Sequence, residues 1–313
     1  MIVLVAVVLW FAEPAEGGAP PVESPLAAAQ VATGYIGQDT CLECHEDVGE
    51  TFHLTVHGRA ELPEWSGAQG CESCHGPGER HANEGDAAFI RTFADTSPEE
   101  ANEACLTCHT DDAAMFWRGS THETFDLACT TCHNAHESWD NQFALDNYGE
   151  NSARSLTATR NVQVNQTISE ACLTCHTEVE KSMYQRSNHP LRNGQMSCAD
   201  CHQPHGSMTE ASLHGVTKND TCYSCHAETR GPFLWAHVPV QEDCSTCHVP
   251  HGSNQTKLLN DTPPRLCQSC HLFGHHQTVP GTDQQVWNSN RSCVNCHARI
   301  HGSNHPSGIL FMR

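Results

Sequence analysis

Apolar residues form one dense run at the start of the chain and then thin out. Met1 to Phe11, MIVLVAVVLWF, is continuously apolar, and a Pro/Gly/Ala-rich stretch from Glu13 to Gly34 follows it. This order reads as the apolar part of a secretory signal (residues 1–12) leading into a linker (residues 13–36). Eleven residues are too few to span a bilayer, and the lack of basic leading residues raises the expectation of a start further upstream. No later segment is apolar enough to cross a membrane alone. The remainder predicts short helices, with longer ones around Ser97–Trp117 and Ile168–Gln185, loops elsewhere and little sheet.

The polar remainder is punctuated by one motif. All 20 cysteines fall in Cys-x-x-Cys units: Cys41 and Cys44, Cys71 and Cys74, Cys105 and Cys108, Cys129 and Cys132, Cys172 and Cys175, Cys198 and Cys201, Cys222 and Cys225, Cys244 and Cys247, Cys267 and Cys270, Cys293 and Cys296. Each second cysteine is followed at once by a histidine: His45, His75, His109, His133, His176, His202, His226, His248, His271 and His297. Histidine makes up 24 of the 313 residues, so ten such placements by chance would occur roughly once in 10^11 trials.

Positions i, i+3 and i+4 share one face of a helical turn. On that face two thiols can bond to the two vinyl groups of a macrocycle while the histidine reaches its iron. Cys-x-x-Cys-His is the attachment signature of c-type haem, with the histidine as proximal ligand. Zinc sites and disulfide frameworks do not require a histidine directly after the second cysteine. The count is therefore ten covalent c-type haems and ten irons.

Fourteen histidines remain, and they recur with the units. One follows the second unit of each successive pair: His81, His136, His205, His251 and His301. Another lies inside each pair: His57, His122, His189, His237 and one of His275 or His276, with His276 taken as the candidate. These are ten candidate distal ligands. His53, His214, His305 and the other of His275/His276 are spare, and His53 competes with His57 in the first pair. In the stretch CLTCHTDDAAMFWRGSTHETFDLACTTCHNAH, residues 105–136, the count is four ligands for two irons. The link from His133 to His136 spans at most about 10 Å, too short to round a macrocycle, so His136 is expected on a neighbouring iron.

Composition supports a haem-filled interior. Aromatics are 6 % and mean hydropathy is −0.49. With the cysteines set aside, roughly a third of the residues are apolar, poor material for a core. The haem-free chain is expected to be largely unfolded, because burial cannot offset the ordering entropy. Formal charge is −21. Ten pairs of propionates and ten ferric centres take this to about −31. Nucleic acid is excluded as a partner.

Internal repetition gives the organisation. EACLTCHT occurs at Glu103–Thr110 and again at Glu170–Thr177, PHGS at Pro204–Ser207 and Pro250–Ser253, and IHGS at Ile300–Ser303. Such duplication marks a repeat array. First cysteines lie 22 to 34 residues apart except for a gap of 43 between Cys129 and Cys172. The polar, Asn-rich residues 137–169 are therefore read as a junction between residues 37–136, with units one to four, and residues 170–313, with units five to ten. The fold class is a multihaem c-type cytochrome: short α-helices and loops wrapped around a haem chain, elongated, with little β. Haems tied so closely make an electron wire, and bis-histidine ligation gives it low potentials.

With ten units, paired spacing, GCESCHGPGERH (Gly70–His81) and the repeated CLTCH, the chain resembles the MtrA/DmsE/PioA family of periplasmic decahaem cytochromes from about Gly37 to His305. That resemblance implies a periplasmic location at the outer membrane and partial enclosure by an outer-membrane β-barrel porin. It also implies electron passage to or from an outer-surface multihaem cytochrome, a terminal reductase or a mineral, with a periplasmic donor or acceptor behind. Outer-surface decahaem cytochromes are much longer than this chain. Rival readings are a multihaem reductase with one open iron, which ten intact histidine-ended units disfavour, and a free periplasmic or filament-forming carrier. Electron carriage rather than enzyme chemistry is expected.

Overall fold

The computed structural model describes residues 34–59, 70–110, 114–136, 168–271 and 292–312. The signal-like segment, nearly all of the linker, the junction up to residue 167, and His275 and His276 lie outside these. Two compact units are present: one takes Met1–Cys44 with Glu61–Arg91, the other His45–Ala60 with Thr92–Arg313.

Helices are short and alternate in kind with the cysteine units. The first unit of each pair ends an α-helix: Gln38–Leu42, Pro98–Leu106, 168–173, Lys218–Tyr223 and Arg265–Gln268. The second sits in a 3-10 turn at Cys129–Thr131, Cys198–Asp200, Cys244–Thr246 and Cys293–Asn295, or in the short helix Glu72–His75. Local sequence accounts for the helix starts. Ser97 caps the amide of Glu100 ahead of Pro98 at the first turn, where a missing N–H is harmless. Thr217 and Asp220 form a reciprocal capping box, which satisfies two otherwise orphaned donors.

The two longer helices of the sequence reading are broken. Among the described residues of Ser97–Trp117, the α-helix covers Pro98–Leu106. Ile168–Gln185 splits into 168–173 and Thr177–Met183 at His176, whose φ/ψ of −87/54 leaves the helix. The same departure occurs at His45 and His226. In each case the histidine of the motif turns off the helix that carries its cysteines.

Among the described residues the only sheet pairs β1 (Trp235–Ala236) with β2 (Gly302–Ser303), antiparallel, with Trp235 opposite Ser303. Isolated bridges join Ser187 to Ser253, His202 to Leu213 and His248 to Leu259. Among the described residues the buried apolar side chains are Ala101, Trp117, Met183 and Leu191, too few to hold these residues against their entropy. Polar groups fill much of the remaining interior. In the first unit the buried carboxylate of Glu72 accepts from the amides of Ile36 (3.1 Å), Gly37 (2.9 Å) and Gly78 (2.8 Å). No helix among the described residues is long and apolar enough to cross a membrane.

Candidate metal centres

The local turn of each unit is uniform. From Cys71 onward, the amide of every motif histidine donates to the carbonyl of its first cysteine, as in His109 to Cys105 at 3.0 Å and His271 to Cys267 at 2.9 Å. One turn thus brings both thiols and the imidazole to one side, as the spacing predicts.

The thiols then meet between units. First cysteines of each pair are in hydrogen-bonding contact: Cys41 with Cys71, Cys105 with Cys129, Cys172 with Cys198, Cys222 with Cys244 and Cys267 with Cys293. Second cysteines approach across successive pairs, Cys132 towards Cys175, Cys201 towards Cys225 and Cys247 towards Cys270, near enough to interact electrostatically. From Cys105 to Cys293 the units are therefore neighbours in chain order. The contacts also skew acidity within a couple. The bond with Cys105 lowers the Cys129 thiol to about 7, and the bond with Cys172 lowers Cys198 to about 6. Burial, followed by the neighbouring Cys71, pushes Cys41 up to about 11.

The motif histidines face other histidines. Ring centroids are 5.9 Å apart for His57 and His109, 6.3 Å for His122 and His176, 5.8 Å for His133 and His205, and 6.4 Å for His189 and His226. They are 5.9 Å apart for His202 and His251, 6.2 Å for His237 and His271, and 6.1 Å for His248 and His301. Two imidazoles bound through nitrogen on opposite sides of one metal, each bond about 2.0 Å, have centroids about 6 Å apart. The residues therefore fit an iron between each facing couple. The rings meet in twos, and among the described residues no three His, Cys, Asp or Glu side chains gather around one ion position. Such a donor set suits a metal whose other ligands come from a macrocycle.

A rule governs these couples. A histidine inside one pair faces the first unit of the next pair, and a histidine trailing a pair faces the second unit of the preceding one. Residues 105–136 therefore do not supply the second histidine for their own two units. His109 meets His57 from the pair before, His133 meets His205 from the pair after, and His122 reaches forward to His176. His136 instead packs edge-on to Phe52 at 6.2 Å. His53 returns its Nδ1–H to the Gly49 carbonyl at 2.9 Å, so His57 is the residue that reaches across.

Backbone carbonyls fix the rings. Nδ1–H of His75 donates to Arg91 at 2.6 Å, His202 to Ala211 at 2.7 Å, His248 to Lys257 at 2.8 Å and His297 to Leu310 at 2.5 Å. Among the distal candidates, His122 donates to Pro204 at 2.7 Å, His189 to Pro250 at 2.8 Å and His81 to Asp86 at 3.1 Å. A metal-bound histidine needs its second nitrogen held in this way, with Nε2 left for the metal. Two of the receiving carbonyls belong to left-handed residues, Ala211 (φ 58°) and Lys257 (φ 57°), a conformation costly for non-glycine residues. Spare His214 closes the same strap, its Nε2–H donating to Ala199 at 2.7 Å; Asn260 does so towards Thr246 at 2.8 Å. Burial first, and the facing imidazole second, holds His57, His237, His251 and His301 below the usual histidine range. Neutral imidazole is the ligating form.

Comparison with known proteins agrees. A doubled CXXCH motif matches residues 122–181, 188–231 and 237–273, and an NrfB-like c-type cytochrome pattern matches residues 71–151. The multiheme cytochrome MtrA of Shewanella baltica (strain OS185) is 41% identical over 293 residues, covering 88% of this chain and 81% of that protein. The chain belongs to the MtrA family of multihaem cytochromes. Membership gives this MtrA-family chain covalent c-type haem with iron, and implies electron transfer.

Other features of this MtrA-family chain escaped the sequence reading. The buried side chains of Asn102 and Asn219 each bind the backbone of the neighbouring unit. A signal existed: both stand three residues before a first cysteine. The glycine of each HGS repeat is also explained by close approach. A Cβ at Gly206 would meet the Phe116 carbonyl, at Gly252 the Ser182 carbonyl, and at Gly302 the Phe233 ring.

Proposed function

We propose that this chain conducts electrons through ten covalently bound, bis-histidine haems and that it does no substrate chemistry. The observation that carries the reading is the facing of a motif histidine by a second histidine in couple after couple. Haem held in this way supplies a reversible one-electron ferric/ferrous couple. The cysteines would tether it, the two facing imidazoles would ligate its iron, and the carbonyls on Nδ1–H would orient the rings. An iron held by both imidazoles would have no open position for nitrite, hydroxylamine or another small substrate.

Seven couples follow the forward and backward rule, and His81, His136 and His276 are the remaining candidate distal ligands. The organisation proposed is residues 37–136 with four units and residues 170–313 with six, joined by residues 137–169. The couples of His122 with His176 and His133 with His205 tie the two stretches together.

The resemblance that extends along the chain supports placement in the periplasm at the outer membrane. There the chain would be sheathed by a β-barrel porin and linked to an outer-surface multihaem cytochrome or terminal reductase. The strong acidity fits partners with neutral or basic faces.

The test is low-temperature EPR of the purified oxidised holoprotein, with haem counted by pyridine haemochrome. Ten haems, all low-spin, is the expected result; a stoichiometric high-spin ferric signal would bring the reductase reading forward. For the route, gentle solubilisation of outer membranes should bring a β-barrel down with the cytochrome. Full release by osmotic shock as a free monomer would favour a periplasmic shuttle.

A further inference from the structure

We infer that Asn102 and Asn219 are positioning residues that set the contact between the two haems of the pairs at Cys105/Cys129 and Cys222/Cys244. The inference rests on the haem reading above and deepens it. Both asparagines are 5 % exposed and each lies one turn before a first cysteine, within Pro98–Leu106 and Lys218–Tyr223.

Each makes the same clip. The Asn102 side-chain amide donates to the Leu127 carbonyl at 3.0 Å while its oxygen accepts from the amide of Cys129 at 2.7 Å. Asn219 donates to Val240 at 3.0 Å and to Gln241 at 3.2 Å, and accepts from Cys244 at 2.8 Å. One planar amide thus ties the helix of the first unit to the segment entering the second, at the residue that bears the second tether. The sulfurs of Cys105 and Cys129, and of Cys222 and Cys244, are brought into contact by this registration.

Asparagine is the residue the task requires. Its side chain offers donor and acceptor in one rigid group, whereas aspartate accepts only and leucine does neither. Where another residue stands three before the first cysteine, the clip differs: Ser169 bonds directly to the Cys198 sulfur.

Registration of the tethers fixes how two rings overlap, so the asparagine acts on electron exchange through the backbone. The test uses holoprotein carrying Asn102→Ala, Asn219→Ala or Asn219→Asp, read by Soret-region circular dichroism, which reports haem–haem coupling, with pyridine haemochrome in parallel. Loss of part of the Soret couplet in each single variant, adding in the double variant, is expected while haem content and low-spin EPR stay at the parent's values. Asn219→Asp keeps volume and acceptor, so it separates a lost donor from a folding defect should an alanine variant lose haem. An unchanged couplet in fully loaded Asn219→Ala or Asn219→Asp overturns the inference. A parent protein without ten low-spin haems would instead overturn the reading beneath it.

Discussion

The imidazole of His133 faces that of His205, centroids 5.8 Å apart and planes inclined by 27°, although His136 stands three residues away in the chain. Sequence distance is thus a poor guide to which histidine completes which centre. His205→Met should raise the potential of the haem tethered by Cys129 and Cys132, on the order of 0.1 V within the ~0.8 V that axial ligands span. His136→Met should shift a different haem, and the double variant should show both shifts independently. A spectroelectrochemical titration checks this; a single shared wave moving in both variants would contradict the assignment.

Ring orientation gives a second outcome. His57 and His109 are crossed at 85°, whereas His237 and His271 lie within 21° of parallel. Crossed ligands leave the iron orbitals near-degenerate and give a strongly anisotropic ferric signal; parallel ligands give a rhombic one. His57→Ala holoprotein should lose a large-gmax EPR component, and His237→Ala a rhombic one.

Gly252 meets the Ser182 carbonyl in the strap that presents His251 to His202. Gly252→Ala should destabilise the holoprotein by about 1–3 kcal/mol through overpacking. The readout is chemical denaturation followed in the Soret band.

Lys218 and Asp243 pair at 2.8 Å, both 38 % exposed. Burial pushes Asp243 up, but Lys218 and the hydroxyl and amide of Ser245 outweigh it and hold the carboxyl below its usual range. The Asp243 carboxylate holds Lys218 above the usual lysine range. A depressed carboxyl contributes stability above its ordinary pKa of about 3.9 and loses it as pH falls through the folded value. Lys218→Met should therefore cost less than ~1 kcal/mol at pH 7. Its difference from the parent should vanish near pH 2.

Chain expressed without haem attachment should show little helix by far-UV circular dichroism and should be rapidly digested. Ala101, Trp117, Met183 and Leu191 are the apolar side chains buried among the described residues. A protease-resistant apoprotein would contradict that account.

The attachment units and the short helices were legible because covalent chemistry and one-turn periodicity are local. Seven of the recurring histidines do face a motif imidazole, and their recurrence made them visible. Their partners were not, since His122 reaching His176 depends on how successive pairs pack, which no local pattern encodes. The break at His176 was missed for a related reason: periodicity over Ile168–Gln185 suits a helix, but the imidazole must leave it. The asparagine clips were hidden because a lone Asn before CLTCH reads as a solvated helix residue until Cys129 is placed beside it.

The alternation of forward and backward couples has a consequence for biogenesis. A chain threaded into its compartment from the amino terminus delivers His133 well before His205, and His202 well before His251. Each such centre waits half-finished until a later stretch arrives to close it. Completion of the second centre of a pair therefore trails its delivery by two units, whereas the first centre of the next pair finds its partner already delivered. A stalled or truncated chain would expose the second-unit iron nearest its end to whatever small ligand is at hand.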